Sequence, residues 1–260
     1  MDKIQAYSEY LLHLADNSLI LGHRNSEWTG HGPILEQDIA LSNIALDLIG
    51  QARHFYQYAA DLIGTETGID TDEDKLAYLR DGHDFKNCLL VEQPNGHWGN
   101  TVLRQFLFSS YQYLLYQQLL GSKDKTIAAI AEKSLKEITY HLRWSSEWVI
   151  RLGDGTEESH EKMKNALTTL WRFTDELFAP ASYEIAVEAA GIGISPIDLK
   201  AKWMEMVQQI LTEALLFQYL ETIDPRSALT GGKTGIHTEH LGYILSEMQF
   251  LQRAYPGCEW

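Results

Sequence analysis

The sequence predicts an all-α protein built as a bundle of long helices. Several stretches of about 20 residues or more carry apolar side chains at spacings of three and four, which is the period of an amphipathic helix. One of the longest, residues 127–152, contains neither Gly nor Pro. Strong strand signals are absent. Helices of this length joined by compact loops favour a ferritin-like bundle over a globin-like packing, with additional short helices between the long ones.

Turn and capping residues delimit the predicted helices. Gly22 and Gly64 are interpreted as stops. Thr156 and Thr238 are interpreted as N-caps, and Pro196 occupies the first turn of its helix. We expect Leu35, Ile39 and Leu46 of the second helix to face the core, while the apolar run at 88–94 is too short to classify. The predicted helices are 5–21, 35–63, 71–80, 101–120, 127–152, 156–178, 183–190, 196–223 and 239–254.

Composition is that of an ordinary globular protein. Of the 260 residues, 45% are hydrophobic and 22% charged, and the formal net charge is −15. Such an acidic chain disfavours nucleic acid and anionic membranes as partners. No internal repeat, low-complexity segment or linker interrupts it, so residues 1–260 are expected to form a single ferritin-like domain.

Cysteine usage and apolar patterning predict a cytoplasmic location. Cys88 and Cys258 provide no disulfide framework, which fits a reducing compartment. The N-terminal residues do not resemble a signal peptide, and no apolar run approaches the ~18 residues that would span a bilayer.

A metal centre is the chemistry that a ferritin-like bundle most often houses. Such a centre takes one Glu from each of two helices and a Glu-x-x-His pair from each of two others. Only Glu157–His160 has this spacing, and it lies in the first turn of its helix, where capping is the simpler explanation. Glu137 and His141 lie one turn apart on a helix, and Glu9–His13 has the same spacing but lies near the N-terminus.

Polar residues on other helices predict an interior polar seam that fills the place of a metal site. Basic residues such as Arg53 and Arg143 would neutralise its carboxylates. We therefore expect no catalytic residue and no metal ligand, and treat Asp47, Glu137, His141, Glu213 and His240 as the positions of a degenerate metal seam. Further members would be Glu36, Asn43, Gln51, His54, Glu205 and Gln209.

Five longer strings resemble a known family. They are NIALDLIGQAR (43–53), LLVEQPNG (89–96), YHLRWSSEWVIRLGDGT (140–156), LWRFTDELF (170–178) and GIHTEHLGYILSEMQFLQR (235–253). Together they are similar to the structural subunits of bacterial multicomponent phenylacetyl-CoA epoxidases, which act in aerobic phenylacetate degradation. The resemblance implies a ferritin-like fold and a non-catalytic role that stabilises a related catalytic di-iron subunit. It also implies that this chain holds no cofactor, and that electrons reach the catalytic subunit from NADPH through a reductase component.

The resemblance also implies two segments that contact the CoA substrate. The first contains Asp84, Phe85, Lys86 and Asn87, and the second contains Ile185, Ala186 and Val187. A lysine and an amide suit a CoA phosphate or amide, and a phenyl ring suits stacking on adenine. A solvated connector and an ordinary core turn are the competing interpretations.

Two other functions remain open at this point. The chain could be an active di-iron oxygenase in its own right, using Glu137 and His141, or a binding or storage module without an oxygenase role. Bound iron in the isolated chain distinguishes the first of these from a structural subunit.

Overall fold

The computed structural model describes residues 3–258, and it shows helices, turns and loops but no β-strand in that part of the chain. The α-helices are α1 (Lys3–Ser26), α2 (Leu35–Thr67), α3 (Glu73–Tyr78), α4 (Leu89–Glu92), α5 (Trp98–Leu119), α6 (Lys125–Gly153), α7 (Glu157–Leu170), α8 (Asp175–Phe178), α9 (Ser182–Ala189), α10 (Lys200–Glu213), α11 (Glu239–Met248) and α12 (Phe250–Ala254). Short 3₁₀ turns are found at Gly82–Asp84, Trp171–Phe173, Pro196–Leu199, Phe217–Thr222, Pro225–Ser227 and Gly232–Thr234.

The periodic pattern located the long helices, but two glycines were misinterpreted as stops. Helix α1 continues through Gly22, where an added Cβ would lie 3.0 Å from Ile49 Cγ1 and 3.3 Å from the Ala45 carbonyl oxygen. This glycine therefore permits a close approach of α2 rather than ending α1. Helix α2 passes Gly64 and ends at Gly68, which adopts a left-handed conformation with φ of 70°. That is the usual geometry of a helix C-cap.

Two of the predicted long helices are broken into shorter pieces. The predicted helix 196–223 contains α10 between two 3₁₀ turns, and the predicted helix 156–178 contains α7, a 3₁₀ turn and α8. The cap at Thr156 is confirmed, since its hydroxyl accepts a hydrogen bond from the Ser159 amide at 3.2 Å. Local periodicity continues across these breaks, so it does not reveal them.

The described residues form two compact units, and each contains segments from distant parts of the sequence. The first unit contains the residues up to Gln93, Ala181–Ala190 and the residues from Gly231 onward. The second contains Pro94–Pro180 and Gly191–Thr230. The chain therefore crosses from one unit to the other four times, so neither unit is a continuous segment.

The first unit is organised around α1. Helices α1 and α2 pack along each other, and α4, α9 and α11 also contact α1. Most residues of α1 are buried, including its polar residues His13, Asp16 and Asn17. A helix that is buried on nearly all sides must satisfy these polar groups inside the protein.

One face of α2 is exposed, contrary to the sequence-based expectation. Leu35, Ile39 and Leu46 are 71%, 52% and 67% exposed, whereas Ile44, Leu48 and Phe55 are fully buried. The helix therefore has apolar side chains on two faces, and only one of them is covered by the rest of the chain.

The second unit is organised around α5 and α6, which pack along each other and are joined by α7 and α10. Trp203 of α10 is buried, with its ring centroid 5.7 Å from that of Trp171 and 5.0 Å from that of Phe178. Its indole nitrogen donates a hydrogen bond to the Leu107 carbonyl of α5 at 3.1 Å. Aromatic side chains thus fill the centre of this unit.

No helix within the described residues is long and apolar enough to cross a membrane.

Candidate functional site

The predicted polar seam does not form as expected. Asp47 and His240 belong to the first unit, while Glu137, His141 and Glu213 belong to the second. His141 is fully buried, Asp47, Glu137 and His240 are half-buried, and Glu213 is exposed. The other proposed carboxylates and amides are mostly at the surface: Glu36, Asn43, Glu205 and Gln209 are exposed, Gln51 is buried and His54 is half-buried. The prediction of a continuous interior seam from these residues is therefore wrong.

The sole Glu-x-x-His sequence has a local structural role. His160 Nδ1 donates to the carbonyl of Gly153, at the end of α6, over 2.7 Å, and its Nε2 lies 3.0 Å from the Tyr219 hydroxyl. Glu157 is exposed in the first turn of α7. The histidine thus satisfies a carbonyl at the C-terminus of α6, while the N-cap of its own helix is Thr156.

Buried charges are concentrated around α1 of the first unit instead. Asp16 is fully buried and forms an ion pair with Arg80. Its carboxylate also accepts hydrogen bonds from the Tyr56 hydroxyl at 2.5 Å and from the Lys86 amide at 2.7 Å. Burial, together with the charge of Asp16, raises the pKa of Tyr56 well above its usual range. Burial lowers the pKa of Arg80, but Asp16 outweighs this effect and raises it, so the guanidinium stays charged.

Glu92, at the end of α4, is a second fully buried carboxylate. One oxygen accepts from His237 Nδ1 and from Asn87 Nδ2, both at 2.8 Å. The other accepts from the amide and the hydroxyl of Thr238, both at 2.7 Å. Thr238 precedes α11 as predicted, but it uses its hydroxyl to bind Glu92 rather than to cap its own helix.

Glu184 of α9 is the third buried carboxylate in this unit. It pairs with the buried Lys233, whose Nζ lies 3.1 and 3.0 Å from the two carboxylate oxygens. It also accepts the Ala181 amide at 2.8 Å, which satisfies the start of its helix. His13 Nε2 lies 3.8 Å from Glu184, and His13 Nδ1 is 2.7 Å from the Lys86 carbonyl. Burial is the largest influence on His13 and lowers its pKa.

The two segments implied to contact substrate both belong to the first unit, beside this charged cluster. In the first segment, Phe85 and Asn87 are fully buried, Lys86 is half-buried and Asp84 is exposed. The Phe85 ring packs 4.2 Å from the Arg80 guanidinium carbon. The ring therefore cannot stack on an adenine in this conformation, and the predicted stacking role of Phe85 is wrong.

In the second segment, Ile185 and Ala186 are exposed and Val187 is buried. Substrate contact therefore stays a prediction, and the side chains that reach the surface are those of Asp84, Lys86, Ile185 and Ala186.

The residues that organise this cluster were not identified from the sequence as members of one site. Asp16 and Glu92 are single charges within apolar runs, LLHLADNSLIL and LLVEQP, and such isolation is a signal for a buried, paired group. Their partners Arg80 and His237 are distant in sequence, so periodicity gives no indication of the pairing. Lys233 lies in a Gly-rich loop, TGGKTG, where a buried lysine is unexpected.

The residues present do not fit a di-iron centre. Among residues 3–258, no group of three or more His, Cys, Asp or Glu side chains is arranged to hold a metal ion. The buried carboxylates of the first unit already accept from an arginine, a lysine, a histidine and main-chain amides. These donors take the places that cations and water would occupy around a carboxylate-bound metal.

Comparison with known proteins identifies the family. Over residues 1–260 the sequence matches the family described as Phenylacetic acid catabolic protein. The chain belongs to this family. A relative from Escherichia coli (strain K12), named as a subunit of 1,2-phenylacetyl-CoA epoxidase, is 46% identical over 260 residues, which is 100% of both chains. The family resemblance stated from the sequence strings is confirmed.

The fold comparison agrees with the ferritin-like prediction. A solved structure, Protein 19 with aldehyde deformylating oxidase activity from Synechococcus, matches with a TM-score of 0.51 and 16% identity, covering 85% of this chain and 99% of that one. At this identity the match concerns the fold alone. The prediction of an all-α, ferritin-like fold for this member of the family is confirmed.

Proposed function

We propose that this chain is a non-catalytic structural subunit of a cytoplasmic, multicomponent oxygenase that epoxidises the ring of phenylacetyl-CoA. The full-length similarity to a protein named as a subunit of such an epoxidase supports the reaction and the substrate. The partner would be a catalytic subunit that carries the di-iron centre and receives electrons from NADPH through a reductase. The single ferritin-like domain expected from the sequence is part of the same proposal.

The observation that carries the non-catalytic assignment is the saturation of the buried carboxylates. Glu92 accepts four hydrogen bonds, from His237, Asn87 and the amide and hydroxyl of Thr238. Asp16 and Glu184 are each paired with a cationic side chain and also accept a main-chain amide. Removing these donors to admit a metal would leave buried charges without partners, which costs several kcal/mol. A metal ion could therefore bind these carboxylates only if the existing pairs were broken.

The exposed face of α2 is the surface that we assign to the catalytic partner. Leu35, Ile39 and Leu46 lie within about 40° of one another around the helix axis, given 3.6 residues per turn. A Cβ added at Gly50, farther along α2, would meet nothing within 4 Å. The chain carries a net charge of −15, yet this stripe is apolar, as in the desolvated centre of a permanent interface. A long helix of a different subunit fits it, because the relative is itself named as one subunit of an epoxidase.

Metal content and turnover test the assignment. The isolated chain should contain far less than one iron per chain and should not oxidise phenylacetyl-CoA with NADPH and reductase. Addition of the catalytic subunit should restore turnover. About two irons per chain, or turnover by the isolated chain, would overturn the proposal in favour of an active di-iron oxygenase.

A charge placed on the stripe tests the docking surface. Leu46→Asp should weaken co-purification with the catalytic subunit at least about tenfold, because an unpaired carboxylate would be desolvated in the interface. Ile197→Asp, at a residue of the second unit that is 58% exposed, is the matched control and should leave assembly unchanged. Undiminished assembly of the Leu46 variant, or recovery of a homo-oligomer in place of the heteromeric complex, would reject this surface.

The substrate contact is proposed at the exposed part of the two segments. Lys86 is suited to a CoA phosphate as a flexible point charge. Lys86→Ala should raise the KM of the assembled enzyme for phenylacetyl-CoA several-fold with little change in kcat. Lys136→Ala, an exposed lysine on α6, serves as the control. An unchanged KM in the Lys86 variant would favour the solvated-connector interpretation.

A further inference from the structure

We propose that His237 is a positioning residue that acts as an imidazolium near pH 7 and clamps the segment Asp84–Asn87 onto the core of the first unit. The contact of this segment with the CoA substrate rests on the function proposed above. The clamp itself rests on the geometry of two histidines and two consecutive carbonyl groups.

The contacts of His237 define its protonation state. Nδ1 lies 2.8 Å from a carboxylate oxygen of Glu92, and Nε2 lies 3.0 Å from the carbonyl oxygen of Phe85. A carbonyl oxygen only accepts hydrogen bonds, so Nε2 carries hydrogen. Asn87 and Thr238 together donate three hydrogen bonds to Glu92, which stabilises its carboxylate form, and a carboxylate also only accepts. Both ring nitrogens must therefore carry hydrogen, and a ring with two N–H groups is a cation.

The charges around His237 support this state. Glu92 on α4 and Asp16 on α1 are the acidic groups that act on it. The cations nearby hold other partners: Arg24 on α1 donates to the main-chain carbonyl of Glu92, and Arg80 pairs with Asp16. Burial of His237 lowers its pKa, but the hydrogen bond and charge of Glu92 outweigh burial and leave the pKa above its usual value.

Four main-chain polar groups between Phe85 and Cys88 are held by side chains of the core. His237 holds the Phe85 carbonyl and His13 holds the Lys86 carbonyl, at 3.0 and 2.7 Å. The amide of Lys86 donates to Asp16, and the amide of Cys88 donates to Asn17 at 2.8 Å. Because buried side chains fix this backbone, Asp84 and Lys86 project toward the surface from a preorganised support.

The His13 side of the clamp also reaches the second candidate segment. His13 lies between the Lys86 carbonyl and Glu184, the residue immediately before Ile185. His237 differs from His13 because it alone bridges a carboxylate and the first segment through two N–H donors. Its loss should therefore loosen Phe85–Asn87 while α9 remains anchored by Lys233.

Nitrogen NMR of the His237 ring and amide hydrogen exchange test the clamp on the full chain. In the wild-type protein near pH 7, both ring nitrogens should show imidazolium shifts. His237→Gln should raise the exchange rates of the Lys86, Asn87 and Cys88 backbone amides about tenfold. The Gln side chain has its N–H donors on one nitrogen, so it cannot hold both Glu92 and the Phe85 carbonyl as the imidazolium does. His160→Gln is the matched control: it removes a histidine with two hydrogen-bonded nitrogens from the second unit and should leave these amides unchanged.

The outcomes separate the clamp from the proposed function. A neutral His237 ring near pH 7 overturns the clamp, and this measurement needs no variant that might fail to fold. Unchanged exchange in a folded His237→Gln protein also overturns it. If exchange rises but the KM of the assembled enzyme for phenylacetyl-CoA is unaffected, the clamp holds and the assignment of this segment to substrate is rejected.

Discussion

The interiors of the two units contain different kinds of side chain. The first unit buries charge: the Asp16–Arg80, Glu184–Lys233 and Glu92–His237 pairs lie in its core. The second unit fills its centre with aromatic rings around Trp203. It also buries the charged side chains of Arg104 and Glu176, while ion pairs such as Glu158–Lys162 and Asp175–Lys200 lie at its surface. Both units are built on a pair of long helices, so the difference lies in what fills the space beside the pair.

This contrast has energetic consequences. Rings that fill space contribute through buried area and packing, and their contribution does not depend on pH. Buried ion pairs contribute little net stability when intact, but they impose a large cost when one partner is lost. The stability of the first unit is therefore the more sensitive to pH and to the substitution of a charged residue. The same unit contains both candidate substrate segments.

The largest expected effect is on the aromatic centre of the second unit. Trp203→Ala removes a buried indole and its hydrogen bond to the Leu107 carbonyl, and should lower the free energy of unfolding by about 3–5 kcal/mol. Urea denaturation at pH 6 and pH 8 should give the same loss at both. A loss that changes strongly with pH would mean that charge also stabilises this unit's centre.

A slightly smaller effect is expected at the charged centre of the first unit. Asp16→Ala leaves Arg80 without its partner and the Lys86 amide without an acceptor, so we expect a loss of about 3 kcal/mol. The side chain of Arg80 is 12% exposed and can gain some water, which keeps the loss below that of a fully enclosed charge. The double variant Asp16→Ala/Arg80→Met should recover part of the stability. No recovery would show that the ion pair is not the cause.

Sequence reasoning located the long helices because their hydrophobic period persists over many turns. It misjudged Gly22, since a glycine inside a helix can serve a close contact that only the tertiary structure reveals. It also misjudged Leu35, Ile39 and Leu46, because periodicity identifies an apolar face without showing whether the same chain covers it. The sequence thus predicted burial for apolar residues of α2 that the structure leaves exposed.

The site was harder to predict than the fold. The expected seam used carboxylates such as Glu36, Glu205 and Glu213, which local spacing placed on one helix face but which solvent reaches. The true cluster joins Asp16 to Arg80 and Glu92 to His237, and those pairs are separated by 64 and 145 residues. A pattern within one helix contains no information about such pairs, whereas an isolated charge in an apolar run at least indicates that a partner exists.

The pH dependence of stability should report the two histidines of the first unit with opposite signs. His237 has a raised pKa, so its contribution is complete below about pH 6.5, the value in the unfolded chain, and is lost as pH rises through the folded pKa. His13 has a lowered pKa, so it destabilises the fold as pH falls below about 6.5. The free energy of unfolding, measured by urea denaturation from pH 5 to 9, should therefore decline on both sides.

Two variants separate these contributions. His237→Gln should flatten the alkaline side and His13→Gln the acidic side of the profile, each by about the strength of one hydrogen bond, roughly 1 kcal/mol. A His237→Gln profile that still declines on the alkaline side by the wild-type amount would assign that decline to another group.

The smallest effect is expected at an exposed ion pair of the second unit. Lys200 Nζ lies 2.8 Å from Asp175 Oδ1, a distance as short as that between His237 and Glu92, but both side chains are about half exposed. Water screens the pair and replaces either partner, so Asp175→Ala should change the free energy of unfolding by less than about 1 kcal/mol. The loss should shrink further in 1 M salt, whereas that of Asp16→Ala should not. A loss near 3 kcal/mol at Asp175 would mean that distance, rather than burial, determines what an ion pair contributes in this protein.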